Sequence, residues 1–107
     1  MAQWIDVLAV NELTPGMHTL LNLAQGSLLL VNVAGEFYAI ANSCSHDGGE
    51  LSYGEICAAE ITCPRHGPRF DLKTGAVLSP PAFADIATYP VRVVNNIVQV
   101  FAAPAKS

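Results

Sequence analysis

Between Cys44 and Phe70 the chain reads Cys-Ser-His-Asp-Gly-Gly, an intervening stretch, and then Cys-Pro-Arg-His-Gly-Pro-Arg-Phe. Reduced to possible metal ligands, this is C-x-H, a gap of 16 residues, and C-x-x-H: Cys44, His46, Cys63 and His66. Two thiolates and two imidazoles at close, paired spacing on Gly- and Pro-rich segments describe two loops that clamp a metal centre. Gly48 and Gly49 let the backbone approach a ligand closely. Zinc accepts two cysteines and two histidines tetrahedrally, but zinc fingers usually place both cysteines in one knuckle and both histidines in the other. Here each loop supplies one of each, which suits a dinuclear centre gripped from opposite sides. A four-cysteine [2Fe–2S] cluster is excluded, because the chain has 3 cysteines.

The paired motif resembles the Rieske family, in which two cysteines hold one iron of a [2Fe–2S] cluster and two histidines hold the other. The resemblance extends to Glu12-Leu13-Thr14-Pro15-Gly16, Phe37-Tyr38-Ala39 and Pro80-Pro81, so it covers nearly the whole chain. It implies that Cys44 and Cys63 bind the buried iron and that His46 and His66 bind the outer one, with the double-proline loop packed over the cluster. Respiratory-chain members are a poorer match: they carry a second cysteine in each loop, where this chain has Gly49 and Arg65, and a membrane anchor. High-potential members place Ser and Tyr hydroxyls where this chain has Pro68 and Phe70. The potential is therefore expected toward the negative end of the Rieske range, about −150 mV.

A chain of 107 residues suits one domain with a modest core. No apolar run approaches the roughly 18 residues of a membrane span, and the start, Met-Ala-Gln-Trp-Ile-Asp, lacks the pattern of a signal peptide. These features predict a soluble, cytoplasmic protein. A net charge of −4 without a basic stripe argues against nucleic acid. Cys57 is read as a structural or surface thiol, and His18 as a surface or packing residue.

Strands are predicted from Trp4 to Leu8, His18 to Leu23, Ser27 to Val33, Phe37 to Ala41, Thr88 to Val94 and Ile97 to Phe101. A single helical turn capped by Asn11 follows the first. Thr14-Pro15-Gly16, Gln25-Gly26, Ala34-Gly35-Glu36 and Asn95-Asn96 read as turns. Ile56 and Glu60-Ile61-Thr62 suggest a small hairpin leading into Cys63, and Phe70 to Leu78 a second one around Lys73-Thr74-Gly75. The tail from Ala102 to Ser107 is expected to fray. Short strands with turns every eight to ten residues predict an all-β fold. The architecture expected is an antiparallel sandwich or barrel base from about 1–41 and 72–107, with a small cluster-binding subdomain over about 42–71.

The chain offers no room for a catalytic iron, a flavin domain or a nucleotide-binding βαβ unit. The leading expectation is a Rieske-type ferredoxin that carries single electrons from a flavin-containing NAD(P)H reductase to a terminal oxygenase, such as an aromatic-ring-hydroxylating dioxygenase. The alternatives are a small Rieske subunit of an assimilatory nitrite reductase complex, bound to its large subunit, and a zinc-stabilised β module. Five acids, Asp47, Glu50, Glu55, Glu60 and Asp71, lie in or just after the ligand region with Arg65 and Arg69. They form either a docking ring or an ordinary solvated surface.

Overall fold

The computed structural model describes residues 4–23, 26–43, 50–51, 54–64, 67–80, 84–101 and 103. Among the described residues ten strands follow in chain order: β1 Trp4–Ala9, β2 His18–Leu23, β3 Gly26–Val33, β4 Glu36–Ala41, β5 Glu55–Cys57, β6 Glu60–Thr62, β7 Arg69–Asp71, β8 Thr88–Tyr89, β9 Val91–Val94 and β10 Ile97–Phe101. They make three antiparallel sheets in the orders β1-β10-β9, β2-β3-β4-β8 and β5-β6-β7. The all-β expectation holds.

Alternation along β3 decides the layering. Successive strand residues face opposite sides, yet Leu28, Leu29, Leu30 and Val31 are all at most 1% exposed, so both faces of this sheet are covered. Leu28 and Leu30, with Ala39, join Val98 and Val100 of β10 in one apolar cluster. Leu29 and Val31, with Ile40, join Leu51, Ile61, Cys63, Phe70, Leu72 and Ile86 in another. The four-stranded sheet thus packs on the β1-β10-β9 sheet with one face and on the ligand-motif segment with the other. Each enclosed Leu, Ile, Val or Phe contributes about 1.5–3 kcal/mol to stability.

Turn chemistry sets the registers. Ala34 and Gly35, both at positive φ, close the β3–β4 hairpin in two residues, and Asn95 and Asn96 do the same between β9 and β10. Asn32, buried at 3% exposure, accepts the Gly35 N–H on Oδ1 at 2.8 Å and donates Nδ2 to the Leu13 carbonyl at 2.8 Å. A polar residue inside β3 is tolerated because both ends of its amide are satisfied.

Three local expectations are corrected. The helical turn is a 3-10 segment, Val10–Glu12, capped at Ala9 rather than Asn11. The Glu12 carboxylate accepts the Ala9 N–H at 2.8 Å and takes over the capping role. The strand expected from Thr88 to Val94 is two strands in different sheets, β8 on β4 and β9 on β10. Pro90 divides them: it has no N–H for a ladder, and its carbonyl accepts Phe101 N–H at 2.9 Å. The hairpin arm at Ala76-Val77-Leu78 forms one bridge, Phe70 to Val77, rather than a strand. The tail expected to fray lies, apart from Ala103, outside the described residues.

Candidate metal centre

Of the four predicted ligands, Cys63 is described, while Cys44, His46 and His66 lie outside the described residues, as do Gly48, Gly49 and Pro81. Cys63 directly follows β6 and is 1% exposed. Its free thiol belongs to the apolar cluster with Ile61, Phe70, Leu29 and Ile40. Cys57, on β5, is free and exposed. The two thiols therefore differ as the sequence suggests: one sits in the core beside the ligand segment and the other faces solvent.

The segment from Cys63 to Pro68 is closed by main-chain bonds. Cys63 N–H donates to the Pro68 carbonyl at 2.8 Å, and Gly67 N–H donates to the Cys63 carbonyl at 3.1 Å. Gly67 holds φ at +83°, a left-handed conformation that glycine adopts without a Cβ penalty. Pro68 and Phe70 behind the turn are fully buried. Within the turn, Pro64 and Gly67 are exposed.

The first motif is framed by Asn42 and Leu51. The Asn42 main-chain N–H donates to the Ser27 carbonyl at 3.1 Å, tying it to the central sheet. Its Oδ1 accepts the Leu51 N–H at 2.9 Å, and its Nδ2 donates to Glu50 Oε1 at 3.3 Å. Leu51 is 0% exposed, and its carbonyl takes the Gly54 N–H at 2.8 Å. At Gly54 a Cβ would lie 2.2 Å from the Thr62 carbonyl oxygen, so the segment after the first motif presses against the strand that leads into Cys63. Asn42 and Gly54 were missed as site residues in the sequence. The available signal was an Asn two residues before Cys44, a side chain suited to bonding nearby backbone.

The proline loop is anchored to the same subassembly. Ser79 Oγ accepts the Arg69 N–H at 2.9 Å, and Leu78 N–H donates to the Arg69 carbonyl at 2.7 Å. Pro80 is exposed. Nearby, Tyr38 donates its phenol proton to the Glu36 carboxylate. That bond, with desolvation and the charges of Glu36 and Asp71, raises the Tyr38 pKa above its usual 10.0.

The donor chemistry fits an iron–sulfur centre: a buried free thiol stands at a glycine turn in an apolar cluster, and the sequence supplies a second Cys and two His at the paired spacing. Residues 3–90 match the model of the Rieske [2Fe-2S] domain. The chain belongs to the Rieske [2Fe–2S] family. Its group is therefore a Rieske [2Fe–2S] cluster, and zinc is set aside. Among curated Rieske relatives, the chain is 40% identical over 92 residues to the ferredoxin component of the 2,4-dinitrotoluene dioxygenase system of Burkholderia sp. (strain RASC), covering 86% of this chain and 88% of the relative. Among solved Rieske structures it matches a chain of the complex of reduced oxygenase and oxidized ferredoxin in carbazole 1,9a-dioxygenase. There the TM-score is 0.92 at 28% identity, over 97% of both chains. The ferredoxin of carbazole 1,9a-dioxygenase from Nocardioides aromaticivorans IC177 matches with a TM-score of 0.86 at 32% identity, over 92% of this chain and 96% of that one.

Proposed function

We propose that this protein is the ferredoxin of an aromatic-ring-hydroxylating dioxygenase system, a one-electron carrier between a flavin-containing NAD(P)H reductase and a terminal oxygenase. The observation that carries this reading is the match to ferredoxin components along most of both chains. It favours this role over that of a small subunit of assimilatory nitrite reductase. On this reading the protein is not itself an enzyme, and substrate chemistry belongs to the oxygenase. Among the described residues no helix is long and apolar enough to cross a membrane.

Cys44 and Cys63 would hold one iron, and His46 and His66 the other. The bound cluster would accept and release one electron. With two thiolates the oxidised centre is formally neutral, against −2 with four, so it takes an electron more readily. The burial of Cys63 supports its place as a ligand to an enclosed iron. The small β5-β6-β7 sheet, whose strands fall between Glu55 and Asp71, supports a cluster-binding subdomain over about 42–71 on a base from the rest of the chain.

Protein purified without chelators should be coloured, carry iron and acid-labile sulfide in about equal amounts, and give a rhombic paramagnetic signal when reduced. It should also restore NADH-dependent turnover to a reductase and oxygenase of a ring-hydroxylating system lacking its own ferredoxin. Colourless protein with stoichiometric zinc after expression with ample iron would reject the cluster. A loaded protein that restores no such oxygenase but co-purifies with a sirohaem partner would reject the carrier role.

A further inference from the structure

The two ligand segments of the proposed cluster site are closed by different means. From Cys63 to Pro68 the closure is main chain to main chain, at 2.8 and 3.1 Å, and no substitution of a side chain removes its acceptors. Around residues 43–50 the described residues are joined by a side chain: Asn42 Oδ1 accepts the Leu51 N–H at 2.9 Å, and Nδ2 reaches Glu50 at 3.3 Å. Both partners in the main bond are enclosed, Asn42 at 6% and Leu51 at 0% exposure. Asn42 is itself fixed, because its own N–H is held by Ser27 and that of Ala41 by Ala87, at 3.1 and 2.9 Å.

We propose that Asn42 is a positioning residue for the cluster: its amide locks the segment carrying Cys44 and His46 in register with Cys63. The inference rests on the ligand assignment above. The chemistry selects an amide. The buried Leu51 N–H needs an acceptor, while the exposed Glu50 carboxylate takes a donor, and Asn supplies both from one side chain. A carboxylate would keep the first bond and repel Glu50. Leucine, of similar shape, would keep neither and would leave a buried N–H unpaired. Leu51 also packs with Cys63, Ile61 and Phe70, so a shift of its backbone reaches the second segment.

The test uses cluster-loaded protein and compares Asn42→Leu, Asn42→Asp and wild type by three readouts. These are cluster bleaching in excess chelator, the paramagnetic signal of the reduced protein, and amide hydrogen exchange. Asn42→Leu should bleach about ten- to a hundredfold faster, the span set by one unsatisfied buried donor. It should shift the paramagnetic signal and expose the Leu51 amide, while Val98 and Val100 in the distal sheet keep wild-type protection. Asn42→Asp should recover the Leu51 protection and most of the lifetime. Wild-type bleaching and signal in Asn42→Leu would overturn the proposal, as would protection lost equally at Val98 and Val100. If Asn42→Leu takes up no cluster, Asn42→Asp decides. A lifetime that follows Leu51 protection upholds the proposal, and one that does not overturns it. Wild-type protein lacking iron and labile sulfide would instead fail the cluster assignment, before any variant is compared.

Discussion

Cys63 and Phe70 lie in one apolar cluster, at 1% and 0% exposure, on either side of the turn that carries His66. Phe70 pairs in register with Ile61, two residues before Cys63.

This closeness bears on the reduction potential. A hydroxyl donor near sulfur stabilises the more negative, reduced state, and Phe70 has none to give. A hydrogen bond to a charged group contributes about 1.5–3 kcal/mol, and one electron converts about 1.4 kcal/mol to 59 mV. Phe70→Tyr should therefore raise the potential by some tens of millivolts to just over a hundred, read by voltammetry. Pro68→Ser is the poorer test, since it also frees the ring-fixed backbone at the residue whose carbonyl accepts Cys63 N–H. A new hydroxyl that found no acceptor would cost about 1–3 kcal/mol in this enclosed site. An unchanged potential with a lowered melting temperature would show that the hydroxyl does not reach the cluster.

The strand pattern was legible because most strands carry their own punctuation. His18–Leu23 and Ile97–Phe101 have the bounds the sequence predicts, and Ile97 directly follows the Asn95-Asn96 turn that reverses the chain. The break at Pro90 was less legible. Thr88 to Val94 is apolar and β-branched enough for one strand, and only the partner sheets show that the chain changes layers there. At the site, Cys, His and Gly announce themselves by type and spacing. Asn42 and Gly54 do not, because their roles depend on what lies across a loop: the Leu51 amide in one case and the Thr62 carbonyl in the other.

Ligand and bystander residues should separate cleanly. Cys63→Ser, His46→Ala and His66→Ala should abolish the cluster or alter its spectrum. Cys57→Ser should leave both intact, since this thiol is exposed on β5. His18→Ala should do the same, since His18 stands at the exposed start of β2, opposite Val31. Iron content and the visible spectrum of each purified variant check this. Loss of the cluster in Cys57→Ser would require another ligand set.

Gly54→Ala should be costly although it adds one methyl group. Its Cβ would stand 2.2 Å from the Thr62 carbonyl oxygen and 3.0 Å from that of Leu51, and neither is a flexible side-chain end. Relief requires moving β6, which delivers Cys63. The expected loss is about 1–3 kcal/mol, with faster cluster bleaching than in wild type. A denaturation midpoint equal to that of wild type would show that the backbone yields there freely.

Docking to the proposed reductase would draw on few of the five acids, whether they form a docking ring or an ordinary solvated surface. Glu60 is paired with Arg69 at 3.0 Å, with both side chains roughly half exposed. Asp71 Oδ1 accepts the Lys73 and Thr74 amides at 2.7 and 3.2 Å, and Glu50 accepts from Asn42. These acids have local tasks, whereas Glu55 is exposed on β5 and Asp47 lies outside the described residues. A surface ion pair contributes about 0–1 kcal/mol to stability, so Glu60→Gln should fold normally while freeing one cation beside β7. If docking is electrostatic, electron transfer from the reductase slows as salt rises, because screening shortens to about 10 Å at 0.1 M. Glu55→Gln and Asp47→Asn should then lower the low-salt rate further than Asp71→Asn, whose chief effect should be on the turn after β7. Stopped-flow rates that ignore both salt and these substitutions would leave the acids as ordinary solvated surface.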